Sequence, residues 1–119
     1  MTAPNIVNVS TIIGKTSGLD VTTETQAIVT NSAASGKVYK INSLLVSNID
    51  GSNAADITAN VSTTSGDFYL ASTITVPADA TLVVVSKETA LYLEESSSIM
   101  LLASANSDLQ AVCSYEEIS

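Results

Sequence analysis

The chain contains no histidine and no tryptophan, and its four basic residues are all lysines, so it also lacks arginine. Without histidine it cannot form a Ser-His-Asp triad, a histidine-ligated zinc site or an imidazole proton shuttle. Without arginine it cannot hold a phosphate in a bidentate guanidinium fork. The sequence also has no glycine-rich phosphate loop, Cys-x-x-Cys pair or nucleophile elbow. It therefore predicts a protein that is not an enzyme and that binds no cofactor and no metal.

Positive charge is scarce as well. Four basic residues stand against 12 acidic ones, which gives a formal net charge of −8 and an isoelectric point near 4.1. The lysines are scattered along the chain, at Lys15, Lys37, Lys40 and Lys87. Neutralising phosphates requires clustered cations, so nucleic acid is excluded as a partner. An anionic membrane surface is disfavoured for the same reason.

Long hydrophobic runs and paired cysteines are missing too. The longest apolar runs, residues 82–85 and 99–103, are far too short to span a bilayer. The opening residues lack the basic flank and apolar stretch of a signal peptide, which predicts folding in the cytosol. The single cysteine, Cys113, lies in an apolar run where alternate residues share a face, and we predict that it is buried and unpaired.

The sequence also lacks helical periodicity. With 45% hydrophobic and 13% charged residues the chain is no disordered segment, and its 119 residues correspond to one domain. Short runs rich in β-formers recur between turn residues. They cover residues 6–13 (closed by Gly14), 25–30, 38–49, 56–63, 68–76, 81–86, 90–93, 98–103 and 109–115. The pattern predicts an all-β fold, an antiparallel two-sheet β-sandwich of jelly-roll type with eight or nine strands, spanning residues 1–119 behind a short N-terminal arm of about residues 1–5. Within it, the run 81–86 is predicted to be a central strand and the run 38–49 to bend or change sheets midway.

Acidic clusters offer few candidate sites. Glu94 and Glu95 are neighbours, so on a strand they point to opposite faces and cannot form a glycosidase pair. The pair Glu116 and Glu117 is interpreted as a charged edge or tail. Asp50, Asn53 and Asp56 form an oxygen-rich loop that could contribute to a calcium site, although these residue types also form ordinary turns.

Several strings carry a resemblance to a known family. The matching segments are residues 3–9 (APNIVNV), 14–16 (GKT), 38–42 (VYKIN), 46–51 (VSNIDG), 76–78 (VPA) with 80–81 (AT), 91–95 (LYLEE) and 114–118 (SYEEI). In this order and spacing, the chain resembles the small virion structural proteins of tailed marine phages, especially cyanophages, from end to end. It departs from them at residues 96–98, where three serines replace a glycine-containing turn. Serine tolerates a positive φ less well than glycine, so the turn there is expected to differ.

The resemblance implies a non-catalytic particle component, located in the virion and made in the host cytoplasm. A charge of −8 disfavours contact with packaged genome, which favours a capsid decoration (cement) protein on the outer head surface. Its partners would be other virion proteins, namely the major capsid protein or tail components, and further copies of itself in a homo-oligomer such as a trimer. Tyr39, Tyr92 and Tyr115 are the candidate interface residues, because tyrosine is enriched at interfaces. Two alternatives remain open: a tail, neck or fibre-associated protein, and a glycan- or calcium-binding adhesion module.

Overall fold

A computed structural model describes residues 9–119, which form nine strands and one 3₁₀ turn. The strands are β1 (Ile12–Val21), β2 (Gln26–Asn31), β3 (Val38–Asn48), β4 (Ala55–Thr63), β5 (Gly66–Val76), β6 (Thr81–Val85), β7 (Leu91–Leu93), β8 (Ser97–Ala103) and β9 (Leu109–Ile118). The 3₁₀ turn, Lys87–Thr89, lies between β6 and β7. The predicted N-terminal arm falls outside the described residues.

Two antiparallel sheets form the sandwich. Sheet A has the order β1-β9-β3-β6, with β7 pairing to β3 beside β6, and sheet B has the order β2-β8-β4-β5. The chain therefore wraps from sheet to sheet, and the first strand pairs with the last, as expected for a jelly roll. With 65% of the described residues in strands, the prediction of an all-β two-sheet sandwich with eight or nine strands is confirmed.

Alternation along the strands places the core between the sheets. In β9, Leu109, Ala111 and Cys113 are buried, while the intervening Gln110 and Val112 are exposed. Sheet B contributes side chains such as Ile57 and Leu101 to the same cluster. Because successive residues of a strand face opposite sides, this period of two assigns each residue to the inner or the outer face.

If β3 alternated strictly, its apolar residues would fall on both of its faces. A bulge at Asn42 explains this pattern. Ile41 pairs with Tyr115 and Ser43 with Ser114, so β3 has one extra residue there. As a result Ile41 and Leu44 are both buried although they are three positions apart. The strand did not change sheets: β3 stays in sheet A and changes only its partner strand, from β7 to β6.

The prediction for the first strand was wrong. The run 6–13 was expected to end at Gly14, whereas β1 begins at Ile12 and continues through Gly14 and Gly18 to Val21. Neither glycine has a positive φ, and a Cβ added at Gly14 would touch nothing within 4 Å. These glycines therefore sit in ordinary extended backbone and do not interrupt the strand.

Two other predictions need correction. The apolar run 81–86 was expected to be central, but β6 lies at the edge of sheet A, and Val83 is exposed. The central strands of that sheet are β9 and β3. Glu116 and Glu117 were interpreted as a charged edge or tail, but β9 continues through both to Ile118, and Glu117 is buried.

A buried asparagine closes each end of the sandwich. Asn31, at the end of β2, donates from Nδ2 to the carbonyls of Lys37 and Leu93. Asn48, at the end of β3, donates from Nδ2 to the carbonyls of Asn53 and Val76. We call the first the Asn31 end and the second the Asn48 end.

Candidate interaction surfaces

The large apolar side chains that remain exposed are concentrated on edge strands. Among the described residues there are nine, and seven of them belong to strands at a sheet edge. The seven are Ile12 and Ile13 in β1, Phe68, Tyr69 and Ile74 in β5, Val83 in β6 and Tyr92 in β7. An edge strand presents unpaired backbone groups, so apolar side chains beside it provide both main-chain and side-chain contacts for a partner.

The β4–β5 hairpin turns at the Asn31 end of the sandwich. Its closing pair is Thr63 and Gly66, and the next residues of β5 include Phe68 and Tyr69, which are 56% and 66% exposed. These two neighbours point to opposite faces of the strand, so neither sheet A nor any described loop covers the hairpin on either side. We call residues 66–69 the tip segment.

Strand β1 has an open half and a covered half. Ile12 and Ile13 also point to opposite faces and are 57% and 50% exposed. In the second half Val21 is buried, and Ser17 Oγ donates to the carbonyl of Ile28 in β2 at 2.8 Å. Strand β1 therefore contacts β2 from Ser17 onward, whereas residues 12–16 are all exposed.

Two of the three predicted interface tyrosines lie together on the inner face of sheet A. The rings of Tyr39 and Tyr115 stack with centroids 5.4 Å apart. Glu117, opposite Tyr39 in the ladder, is buried beside them and pairs with Lys15 and Lys37, each at 3.2 Å. Both rings are partly covered at the Asn31 end of the core.

The electrostatics of this cluster follow from burial and from its charges. Burial by itself would raise the pKa of the Glu117 carboxyl, but the hydrogen bonds and charges of Lys37 and Lys15 outweigh it, so the pKa is lowered. Burial, and then the negative charge of Glu117, raises the pKa of Tyr39 and of Tyr115. The carboxylate is therefore a stable anion that ties β9 to β1 and to the β2–β3 connection.

Tyr92 is separated from the other two tyrosines. It lies on β7 opposite Lys40, on the outer face of sheet A, and its side chain is about half exposed. The structure thus brings Tyr39 and Tyr115 together and places Tyr92 on the other side of the same sheet. Only Tyr92 of the three offers a largely open ring to a partner.

The oxygen-rich loop is an ordinary turn. Asp50 Oδ1 accepts from the backbone N–H groups of Ser52 and Asn53, and Asp50 Oδ2 accepts from Asn53 Nδ2. These bonds lower the pKa of Asp50. Asp56 instead accepts from Thr75 Oγ1 at 2.8 Å. Asp50 and Asn53 thus bond to each other, whereas Asp56 bonds to β5, and residues 9–119 contain no group of three acidic or thiol side chains arranged for a metal ion.

Cys113 lies at the centre of the core. It is fully buried, and burial raises its pKa to about 12. The predicted buried, unpaired thiol is thus what the structure shows. Along the described chain, no helix is long and apolar enough to cross a membrane.

The sequence analysis missed Phe68 and Tyr69 as surface residues. It selected only tyrosines 39, 92 and 115 as candidate interface residues. A signal was available: two adjacent aromatics on one strand point to opposite faces, so one of them must leave the core. They also lie three and four residues after the turn at residues 64–65.

Comparison with known proteins supports the fold. No protein-family model matches the chain, and no curated protein matches it. Among the solved structures that match is a chain from the disulfide-linked pili of Bacillus endospore appendages, with a TM-score of 0.52 and 14% sequence identity. The match covers 92% of this chain and 88% of the pilus chain. At this identity the likeness concerns the sandwich fold alone.

Proposed function

We propose that the chain is a non-enzymatic structural protein of a phage virion, and that it acts as a decoration protein on the outer surface of the head. The observation that carries the proposal is the concentration of exposed apolar residues on the edge strands of a compact sandwich. Such edges are a liability unless a partner covers them. The resemblance of the sequence to small virion proteins of marine phages supports a particle as the setting.

The charge of the chain supports an exterior position. At −8 per subunit, a location against packaged genome would place many like charges close together. The contacts with the head would then depend on apolar side chains and backbone groups rather than on ion pairs. Added salt screens the repulsion between subunits and leaves such contacts intact.

A second candidate, a tail, neck or fibre-associated protein, is favoured by the exposed hairpin. A hairpin available for stacking between rings would favour this function, and the tip segment is exposed on both faces. The two candidates differ in copy number, since a decoration protein occupies many sites per particle and a neck or fibre protein only a few.

The pilus structure raises the question of a disulfide-linked filament. A chain of subunits joined by disulfides needs at least two cysteines per subunit, because each subunit must bond to two neighbours. The 119 residues contain one cysteine, and it is fully buried. Disulfide linkage of that kind is therefore not part of our proposal, and any assembly of this chain rests on non-covalent contacts.

The test is a binding experiment on phage particles stripped of the protein. Purified protein is added back over a range of salt concentrations, and bound copies are counted per particle, with cryo-electron microscopy locating them. We expect many copies on the outer head, retained at high salt. A few copies at the neck or tail would establish the second candidate instead. Absence of binding at every salt concentration would refute both.

A further inference from the structure

We propose that copies of this chain associate head to tail, with the tip segment of one copy packing against the open half of β1 (residues 12–16) in the next. The inference deepens the proposed function and rests on it, since it names a second copy of the chain as the partner that covers these edges. The exposure, strand regularity, position and charge of the two segments support it.

The tip segment and the open half of β1 are exposed in the same way. Each belongs to an edge strand, and each carries two neighbouring large apolar residues that are at least half exposed on opposite faces. In both segments the described pairing with the neighbouring strand is free of register shifts. They are therefore suited to accept an additional strand, since neither carries a bulge that would turn its edge away.

The remainder of each strand is protected, which confines the contact to these segments. The pairing of β5 with β4 shifts register between Asn60 and Ala59 and again between Ala59 and Ile57. At the second shift Thr73 has a φ of 47°, and its N–H donates to Thr58 Oγ1. In the later half of β1, Ser17 is bonded to β2 and Val21 is buried. Bulges and coverage are the usual means by which natural sheets block edge pairing.

The charges favour contact between a tip segment and β1 over contact between two identical segments. The open half of β1 carries Lys15, whose side chain remains 48% exposed although it pairs with Glu117. The tip segment carries Asp67 as its only charged residue. Pairing two tip segments would bring the Asp67 carboxylates close together, and pairing two β1 segments would do the same with Lys15. Pairing a tip segment with β1 places the opposite charges within the same contact.

The positions of the segments make the contact heterologous. Strand β1 is at the β1–β2 side of the sandwich and β5 at the β5–β6 side, so the two segments lie on opposite lateral sides of one molecule. Both are at the Asn31 end. One copy can therefore engage one neighbour through each side, and the contacts continue into a ring or a chain instead of stopping at a two-fold dimer.

The area available predicts a weak contact in solution. Aromatic side chains bury about 150–250 Å² each when fully covered, and here only part of each ring is free. With two isoleucines and two short backbone segments, the interface falls below the roughly 1,200 Å² at the lower limit of stable complexes. Copies held side by side on a particle would associate far more strongly, because their effective concentration is high.

Two complementary variants test the proposal. The tip-blocked variant carries Phe68→Asp and Tyr69→Asp, and the edge-blocked variant carries Ile12→Asp and Ile13→Asp. All four side chains are at least half exposed, so the fold should tolerate the changes, which circular dichroism verifies. The matched control carries Val83→Asp and Tyr92→Asp, which are similarly exposed and lie on the edge strands β6 and β7. Sedimentation velocity at increasing protein concentration measures association.

We expect the unmodified chain and the control to form species larger than dimers at high concentration. Each blocked variant alone should remain monomeric, with association weakened by about tenfold or more. Mixed in equal amounts, they should form a one-to-one dimer and nothing larger, because only one functional tip segment and one functional β1 are available per pair.

Other outcomes would overturn the inference. If the edge-blocked variant alone still dimerises, the tip segments pair with each other. If both variants associate like the control, or if the unmodified chain stays monomeric at every concentration, the contact does not exist. Adding the same variants to stripped phage particles separates the two proposals. Particle binding without self-association would leave the proposed function standing and remove this inference, and self-association without particle binding would do the reverse.

Discussion

A buried asparagine closes each end of the sandwich, but the contacts around it differ between the two ends. At each end a buried asparagine at the end of a strand donates two hydrogen bonds to carbonyls beyond that strand. At the Asn48 end the adjoining loops are further joined by backbone bonds, such as Ile49 N–H to Asp108 and Asp79 N–H to Asp50. The Asn31 end instead leaves the tip segment and the open half of β1 uncovered. Closure of the core and coverage of the edges are thus separate tasks, and the Asn31 end accomplishes only the first.

The largest expected effect comes from removing the asparagines. Asn31→Ala or Asn48→Ala leaves two carbonyls without their donor, and each should lower the free energy of unfolding by about 2–4 kcal/mol. Asn48→Ala should be the more severe, because Asn48 Oδ1 also accepts from the backbone N–H of Asp50, whereas Asn31 Oδ1 accepts from the Ser35 hydroxyl. Urea unfolding measures both. Asn53→Ala, at an exposed position, is the control and should change stability by less than about 0.5 kcal/mol. Equal midpoints for Asn48→Ala and Asn53→Ala would contradict the closure argument.

The next largest effect on stability concerns Glu117 and its two lysine partners at the Asn31 end. Glu117→Gln removes the anion shared by Lys15 and Lys37, and we expect a loss of about 1–2 kcal/mol at pH 7, since both ammonium groups can return to water. Because the pKa of Glu117 is lowered by folding, its contribution is present above the unfolded-state value of about 4.5 and is lost as the pH falls through the folded value.

Urea unfolding from pH 7 to pH 3 checks this assignment. The difference between the unmodified chain and Glu117→Gln should shrink as the solution becomes acidic. Glu116→Gln alters the neighbouring residue on the opposite face of β9 and serves as the matched control, with a small effect at both pH values. A Glu117→Gln difference that stays constant with pH would show that the ion pairs do not stabilise the fold.

A smaller, stabilising effect is expected at one turn of each end. Ser96 and Ser107 have φ angles of 63° and 69°, in the left-handed region that favours glycine. Ser96→Gly and Ser107→Gly should each raise the free energy of unfolding by about 0.5–1 kcal/mol, because the strain removed exceeds the entropy lost. Thermal unfolding of each variant, with exposed Ser52→Gly as the control, measures the gain. A decrease in the free energy of unfolding for both variants would contradict the strain inferred at these turns.

The smallest expected change in stability concerns an acidic pair at the Asn48 end. Asp108 lies beside Asp50, and its pKa is raised by desolvation, then by its hydrogen bond to Asp50 and the charge of that carboxylate. Asp108→Asn should therefore stabilise the fold slightly at pH 7. The gain should disappear below the ordinary aspartate value of about 3.8, where the carboxyl is protonated in both states. Unfolding midpoints at pH 7 and pH 3 provide the comparison, and a gain that persists at pH 3 would assign it to another cause.

Strand positions with strict alternation were predictable from the sequence. Strand β4 was predicted to within one residue, because Ile57 and Ala59 alternate with polar neighbours toward a buried face. Strand β1 was not, because half of it is covered on neither face and its glycines look like strand ends in the sequence alone. Whether β6 is central or at an edge depends on sheet order, which the composition of one strand does not determine.

The candidate surfaces were less predictable than the fold. The pairing of Glu117 with Lys37 joins residues 80 positions apart, so no local pattern signals it. The burial of Glu117 depends on β9 being central, with β1 and β3 on either side. The exposure of Phe68 depends on how far the β4–β5 hairpin extends beyond the opposite sheet, and the period of two defines the face of a residue but not the length of the sheet across from it.

The pairing of β1 with β9 has a mechanical consequence. The N–H groups of Ser10 and Thr11 donate to the carbonyl of Ser119, and an unshifted antiparallel ladder follows from there to Val21 and Leu109. A load pulling residues 11 and 119 apart acts at the open end of this ladder and along its hydrogen bonds, so it breaks one pair of residues at a time. Optical-tweezer extension between these two points should therefore open the fold at lower force than extension between residues 11 and 109, where the whole ladder is sheared at once. The chain would therefore resist force best when it is held at the opposite ends of these two strands.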